Sequence, residues 1–127
     1  MIRVIWMLLI PAVILTACND QEITSDKQVL NLTVNSDPAL GKALFADNCK
    51  SCHGSEALGT KRGPPLIHKI YQPGHHADFS FYRAVSHGVR SHHWRFGDMP
   101  KIPGVSPKEV GHIVVYIRQE QRRAGIQ

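Results

Sequence analysis

Hydrophobic positions along this chain fall into one continuous run and three helical repeats. Val4 to Leu15 is an apolar run broken only by Pro11, and Arg3 precedes it. After a polar stretch, Asp37-Pro38 supplies a capping residue and a first-turn proline, and Ala39, Leu40, Ala43 and Leu44 then recur at helical spacing. This predicts a helix running toward Cys49. Phe79, Tyr82, Val85 and Val89 share one helical face, predicting a second helix from about Asp78 to Val89. The clearest repeat lies near the C-terminus, where Ser106-Pro107-Lys108-Glu109 forms a capping box and Val110, Ile113, Val114 and Ile117 line one side. That helix is expected to reach about Arg123. Arg118, Arg122 and Arg123 would meet the negative end of its dipole, and Gly125 provides a stop. The pattern as a whole predicts an all-α domain.

The first run is too short to cross a bilayer, which takes roughly 20 apolar residues, so residues 1–17 read as a cleaved export signal. It ends in Leu15-Thr16-Ala17-Cys18, which resembles the lipobox of bacterial lipoproteins. The resemblance implies that Cys18 is lipidated, becomes the first residue and holds the protein on a membrane. Asn19 to Ser36 is polar and aperiodic, so residues 18–36 read as a lipidated start and flexible tether. Val29, Leu30, Leu32 and Val34 offer the alternative of a short strand or a segment packed on the domain. With 127 residues in all, one domain remains, from residue 37 to 127.

Charge divides the chain unequally. From Cys18 to Asn48 two basic residues face five acidic ones, whereas from Cys49 to Gln127 twelve face five. A basic domain of an exported protein is not expected to meet nucleic acid. Acidic protein patches and anionic surfaces are the partners that such a field attracts.

The candidate chemistry centres on Cys49-Lys50-Ser51-Cys52-His53, a Cys-x-x-Cys-His run of the kind that attaches haem covalently. Two cysteines three positions apart on a helical turn reach both vinyl groups of one porphyrin, and the adjacent histidine is carried under the iron. A Cys-x-x-Cys pair also serves thioredoxin-like redox sites and zinc sites. The chain lacks the strand-helix-strand frame of the first and the second ligand pair of the other. The opposite axial ligand is expected from Met99, the only methionine after the apolar run, in the turn-rich segment Gly97-Asp98-Met99-Pro100. A thioether favours ferrous iron and raises the potential.

From Pro38 to Ile126 the chain resembles bacterial class I monohaem cytochromes c of the short type. In that family a glycine and an aromatic of the N-terminal helix cross an aromatic of the C-terminal helix, and Gly41, Phe45 and Tyr116 occupy the corresponding places. The resemblance implies three to four helices wrapped around one covalently bound haem c. Gly63-Pro64-Pro65-Leu66 resembles the family's Gly-Pro-x-Leu loop, which implies that the Pro64 carbonyl accepts a hydrogen bond from His53 and makes it more electron-donating. Trp94 matches a position where some members bind a haem propionate through the indole N–H, a role that Arg62 or Arg95 can serve instead.

The chain departs from the family pattern in His75, His76, His87, His92 and His93, all between that loop and Met99. One of them in place of Met99 would give bis-histidine iron, and a pair would suit a second metal such as copper. The function expected is nonetheless that of a monomeric one-electron carrier and not an enzyme. It would sit on the periplasmic face of a bacterial membrane, inner or outer, between acidic redox partners such as a quinol-oxidising complex and an oxidase or reductase. The competing classes are a haem sensor or small haem enzyme with a labile sixth ligand, and a histidine-based metal-handling module.

Overall fold

The computed structural model describes residues 25–127, so the expected export signal, Cys18 and the first part of the expected tether lie outside the described residues. Five α-helices follow in order: α1 (Asp26–Val34), α2 (Pro38–Asn48), α3 (Lys50–His53), α4 (Asp78–His87) and α5 (Pro107–Arg123). A 3-10 turn at Lys69–Tyr71 and an antiparallel bridge between Val89 and Met99 complete the regular structure among the described residues. Among the described residues no helix is long and apolar enough to cross a membrane.

The caps expected from sequence are formed. The Asp37 side chain accepts from the Ala39 N–H at 2.8 Å at the start of α2. The Ser106 backbone N–H donates to Glu109 at 2.7 Å while the Ser106 hydroxyl caps the Glu109 N–H, completing the box that opens α5. The Ser106 hydroxyl also donates to the Glu109 carboxylate at 2.7 Å, and that bond, then the backbone one, holds the carboxyl below its usual range. The second predicted helix ends two residues early, at His87, because Gly88 turns to φ +78°.

The fold is organised by the crossing of α2 and α5. At Gly41 a Cβ would lie 1.9 Å from the His112 carbonyl oxygen and 2.9 Å from Tyr116 Cβ, so the two backbones touch where α2 has no side chain. One turn on, Phe45 and Tyr116 pack with ring centroids 5.6 Å apart and tilted by 53°. Buried Ala57, Ile113 and Ile117 close around them. Each large apolar side chain buried here contributes roughly 1.5–3 kcal/mol relative to exposure. His112, also buried, accepts the Asp37 N–H on Nδ1 at 2.8 Å and pins the start of α2 to α5.

Two segments depart from the sequence expectation. Within the stretch expected as a tether, Asp26–Val34 is helical, with Ser25 as its cap and Val29 buried against Tyr82, Val110 and Val114. Leu30 and Val34 stay exposed, so the segment gains its order from one packed face rather than from a strong repeat of its own. The other departure is Arg118, expected to serve with Arg122 and Arg123 at the negative end of the helix dipole. It is buried, donating from Nε to Asp78 at 2.7 Å, from Nη1 to the Tyr71 carbonyl and Gln121, and from Nη2 to the His76 carbonyl. Gln121, equally buried, donates to the Leu66 and Tyr71 carbonyls at 2.8 and 3.0 Å. α5 thus ties down the long connection between α3 and α4 with polar side chains that satisfy backbone carbonyls.

Gly41→Ala is expected to destabilise the domain by about 3 kcal/mol by forcing α2 and α5 apart, seen as a fall in Tm of roughly 15 °C. A variant melting within a few degrees of the parent would refute the close crossing.

Candidate functional site

α2 delivers the Cys-x-x-Cys-His segment directly. The Cys49 N–H still bonds to the Phe45 carbonyl at 2.8 Å, and the His53 N–H then bonds to the Cys49 carbonyl at 3.0 Å, making α3 a single tight turn. That turn puts Cys49, Cys52 and His53 on the wall of one cavity of about 570 Å³, a size suited to a cofactor or large ligand. Phe45, Leu66, Phe81, Val110 and Ile113 supply apolar lining.

The loop after α3 folds back beneath the turn. Leu66 and Ile67 N–H groups bond to the Ala57 carbonyl at 2.8 and 3.2 Å, and the Thr60 hydroxyl donates to the Cys52 carbonyl at 2.6 Å. This brings the Pro64 carbonyl oxygen 2.9 Å from His53 Nδ1. A carbonyl only accepts, so Nδ1 carries the proton and Nε2 keeps its lone pair as a metal ligand. Burial holds His53 below its usual pKa, partly offset by the Pro64 hydrogen bond, and so favours the neutral, ligating form.

The same burial, with the adjacent Cys52, pushes the Cys49 thiol up to about 11. Redox-active Cys-x-x-Cys pairs depress that value to stabilise a thiolate. Cys49 has the opposite environment.

Met99 lies on the cavity wall as well, in the segment after α4. Val89 and Met99 exchange two backbone hydrogen bonds of 2.9 Å, and Ile102 N–H bonds to the Val85 carbonyl at 2.8 Å. Gly88 permits this register, since a Cβ there would stand 2.5 Å from the Met99 carbonyl oxygen. The structure therefore brings together in one cavity all of Cys49, Cys52, His53, Pro64, Trp94 and Met99.

Trp94 is half-buried and its indole nitrogen, wholly enclosed, has no hydrogen-bond partner of ordinary geometry. An enclosed donor at a cavity wall suits an acceptor brought by the occupant. Tyr71 lines the same wall; burial raises its phenol pKa and the neighbouring indole partly lowers it. Arg62 and Arg95, considered for the same role, do not line the cavity, whereas Arg83 and Arg90 do. Tyr71, Arg83 and Arg90 carried no sequence signal of this role, because each reaches the cavity only through the course its loop or helix takes in the fold.

The histidines separate into two groups. His75, His76, His92 and His93 cluster, the last three on the cavity wall and His75 against them, with ring centroids of His92 and His93 4.3 Å apart and those of His75 and His76 4.8 Å apart. His87, exposed at the end of α4 with Nδ1 2.8 Å from the Ser86 hydroxyl, lines the cavity too.

An apolar cavity with a paired thiol turn on one wall, a neutral imidazole nitrogen, a thioether and an enclosed unpaired donor fits a haem covalently held at Cys49 and Cys52. Comparisons with known proteins agree. The family model described as cytochrome c matches residues 38–121. The chain is 30% identical over 99 residues to the cbb3-type cytochrome c oxidase subunit CcoP of Azospirillum sp. strain B510, covering 78% of this chain and 31% of that protein. It is 33% identical over 102 residues to the subunit FixP of Bradyrhizobium sp. strain ORS 278, covering 76% and 33%. It spans about a third of the length of these relatives. Cytochrome cL from Methylophaga aminisulfidivorans shares the fold, with a TM-score of 0.51 and 22% identity over 81% of this chain and 71% of that one. The chain belongs to the cytochrome c family as a class I monohaem member, and its cofactor is a single covalently attached haem c.

Proposed function

We propose that this protein is a one-electron carrier of an extracytoplasmic respiratory chain, with His53 and Met99 as the axial pair. The observation that carries this reading is their placement in one cavity, His53 with its Nδ1–H given to Pro64 and Met99 held by the Val89 bridge. When bound, the haem supplies an Fe(III)/Fe(II) couple. Cys49 and Cys52 hold it by thioether bonds, and the bond from His53 to Pro64 strengthens the imidazole as a donor. Met99 would serve as the second iron ligand, which would leave no position for a substrate and little to move when the electron does. Trp94 would donate its indole N–H to a propionate, with Tyr71 beside it.

The respiratory setting is supported by the relatives, which are named as subunits of cbb3-type oxidases. The membrane attachment rests on the lipobox at Cys18 and the periplasmic placement on the export signal. Arg83 and Arg90 on the cavity wall, in a domain where basic residues outnumber acidic ones twelve to five from Cys49 onward, suit an acidic docking partner. A monomer is sufficient for such transient encounters.

The ferric spectrum of the matured holoprotein is expected to show the weak red absorption of methionine-to-iron coordination, and Met99→Ala to abolish it and lower the potential. A spectrum unchanged by that substitution would remove Met99 from the iron and bring histidine ligation or a sensor with an open sixth position to the front. Trp94→Phe keeps the ring and removes the donor; the propionate charge is then less compensated, ferric iron is favoured, and potentiometry should find a lower potential. An unaltered potential would separate Trp94 from the propionates. Reduction of an acidic partner protein should slow by roughly an order of magnitude between low and high ionic strength, as read by stopped-flow, and a salt-independent rate would count against electrostatic docking.

A further inference from the structure

The histidines at the cavity mouth are not used by the electron-carrier site. His75, His76 and His93 each bring a ring nitrogen within 4.8 Å of the others. Nε2 of His75 and Nε2 of His93 face one another at 3.3 Å. Nitrogens in a tetrahedral shell at the usual zinc distance of about 2.0–2.1 Å stand roughly 3.3 Å apart. That pair is already at ligand spacing, and a ring nitrogen of His76 stands within 4.8 Å of both residues.

The third ligand is also oriented for the purpose. His76 Nδ1 lies 2.6 Å from the Ile70 carbonyl oxygen, so it holds the proton and leaves Nε2 with a lone pair. A backbone carbonyl taking the second ring N–H is the outer-shell arrangement that fixes metal-bound histidines. Further out, the Arg118 guanidinium holds the His76 carbonyl, anchoring the backbone of this residue to α5. His75 and His93 are exposed, which leaves an entry path and an open coordination position for solvent. The donor group contains no carboxylate, so calcium and magnesium, which prefer oxygen, are poorly suited to it, whereas imidazole suits zinc and copper.

We propose that His75, His76 and His93 form a second, surface metal site for a borderline divalent transition ion at the mouth of the haem cavity. His76 and His93 also line that cavity. A dication held there favours the ferrous state electrostatically, so occupancy would couple metal availability to the potential of the carrier.

The test is calorimetric titration of the ferric holoprotein with Zn(II) alone. One equivalent is expected to bind, with affinity at least tenfold weaker in His75→Ala and in His93→Gln and unchanged in His87→Ala. Melting temperatures should match the parent, since His75 and His93 are exposed. Zn(II) should raise the haem potential in the parent and not in His93→Gln, while the ferric spectrum keeps its axial-ligand bands throughout. Absence of saturable binding, binding that the His75 and His93 variants retain in full, or a Zn(II)-induced change of axial ligation would each overturn the site.

Discussion

Everything at the haem site depends on how closely α2 and α5 can approach. The Cys-x-x-Cys-His turn is a direct continuation of α2, so its position is set by where α2 rests on α5. Gly41 permits backbone contact with His112, and the Phe45–Tyr116 pair fixes the rotation of the two helices about that point. His112 then accepts the first free N–H at the start of α2, so one residue of α5 serves both the contact and the cap region. Because protein interiors are close-packed, a shift at this crossing would pass to the cysteines with little attenuation.

α5 controls the opposite side of the cavity by polar means. Its Arg118 and Gln121 hold carbonyls of Leu66, Tyr71 and His76, all in a connection with little regular structure of its own. A buried guanidinium with each partner in place is stable, whereas its removal would take the donor from the His76 carbonyl and Asp78 and leave the Tyr71 carbonyl to Gln121 alone. The connection that carries Pro64, Tyr71 and the first two clustered histidines is therefore positioned by the same helix that positions the cysteines. One helix thereby relates His53, its carbonyl partner and the cavity mouth.

The cavity also separates two kinds of histidine chemistry over a short distance. His53 is buried and tied to Pro64, which keeps it neutral and aimed inward. His76 is tied to Ile70 in the same manner yet lies at the mouth, where desolvation, then neighbouring imidazoles and Arg118, hold it below its ordinary pKa. Both arrangements rest on one rule: a backbone carbonyl selects the tautomer and so decides which nitrogen is free.

Local chemistry written in the sequence determined a good deal. The capping box and proline of α5, the Asp37-Pro38 start of α2, the Cys-x-x-Cys-His turn and Met99 as the one methionine after the apolar run are features of spacing and residue type, legible without coordinates. Gly41, Phe45, Tyr116 and Pro64 were legible through resemblance, and the structure places them in contact as expected. What the tertiary structure decided was the fate of residues whose local signal was ambiguous. Residues 26–34 became a helix because Val29 found a buried face on α5, although their own pattern was weak. Arg118 went inside because distant carbonyls from Tyr71 and His76 supplied its partners. The histidines of two separate segments met only because the chain between them, α4 and the Val89 bridge, reverses direction. Helix caps and covalent motifs act over a few residues and so are written locally, whereas burial, buried charge and clustering depend on partners far along the chain that only the fold brings near.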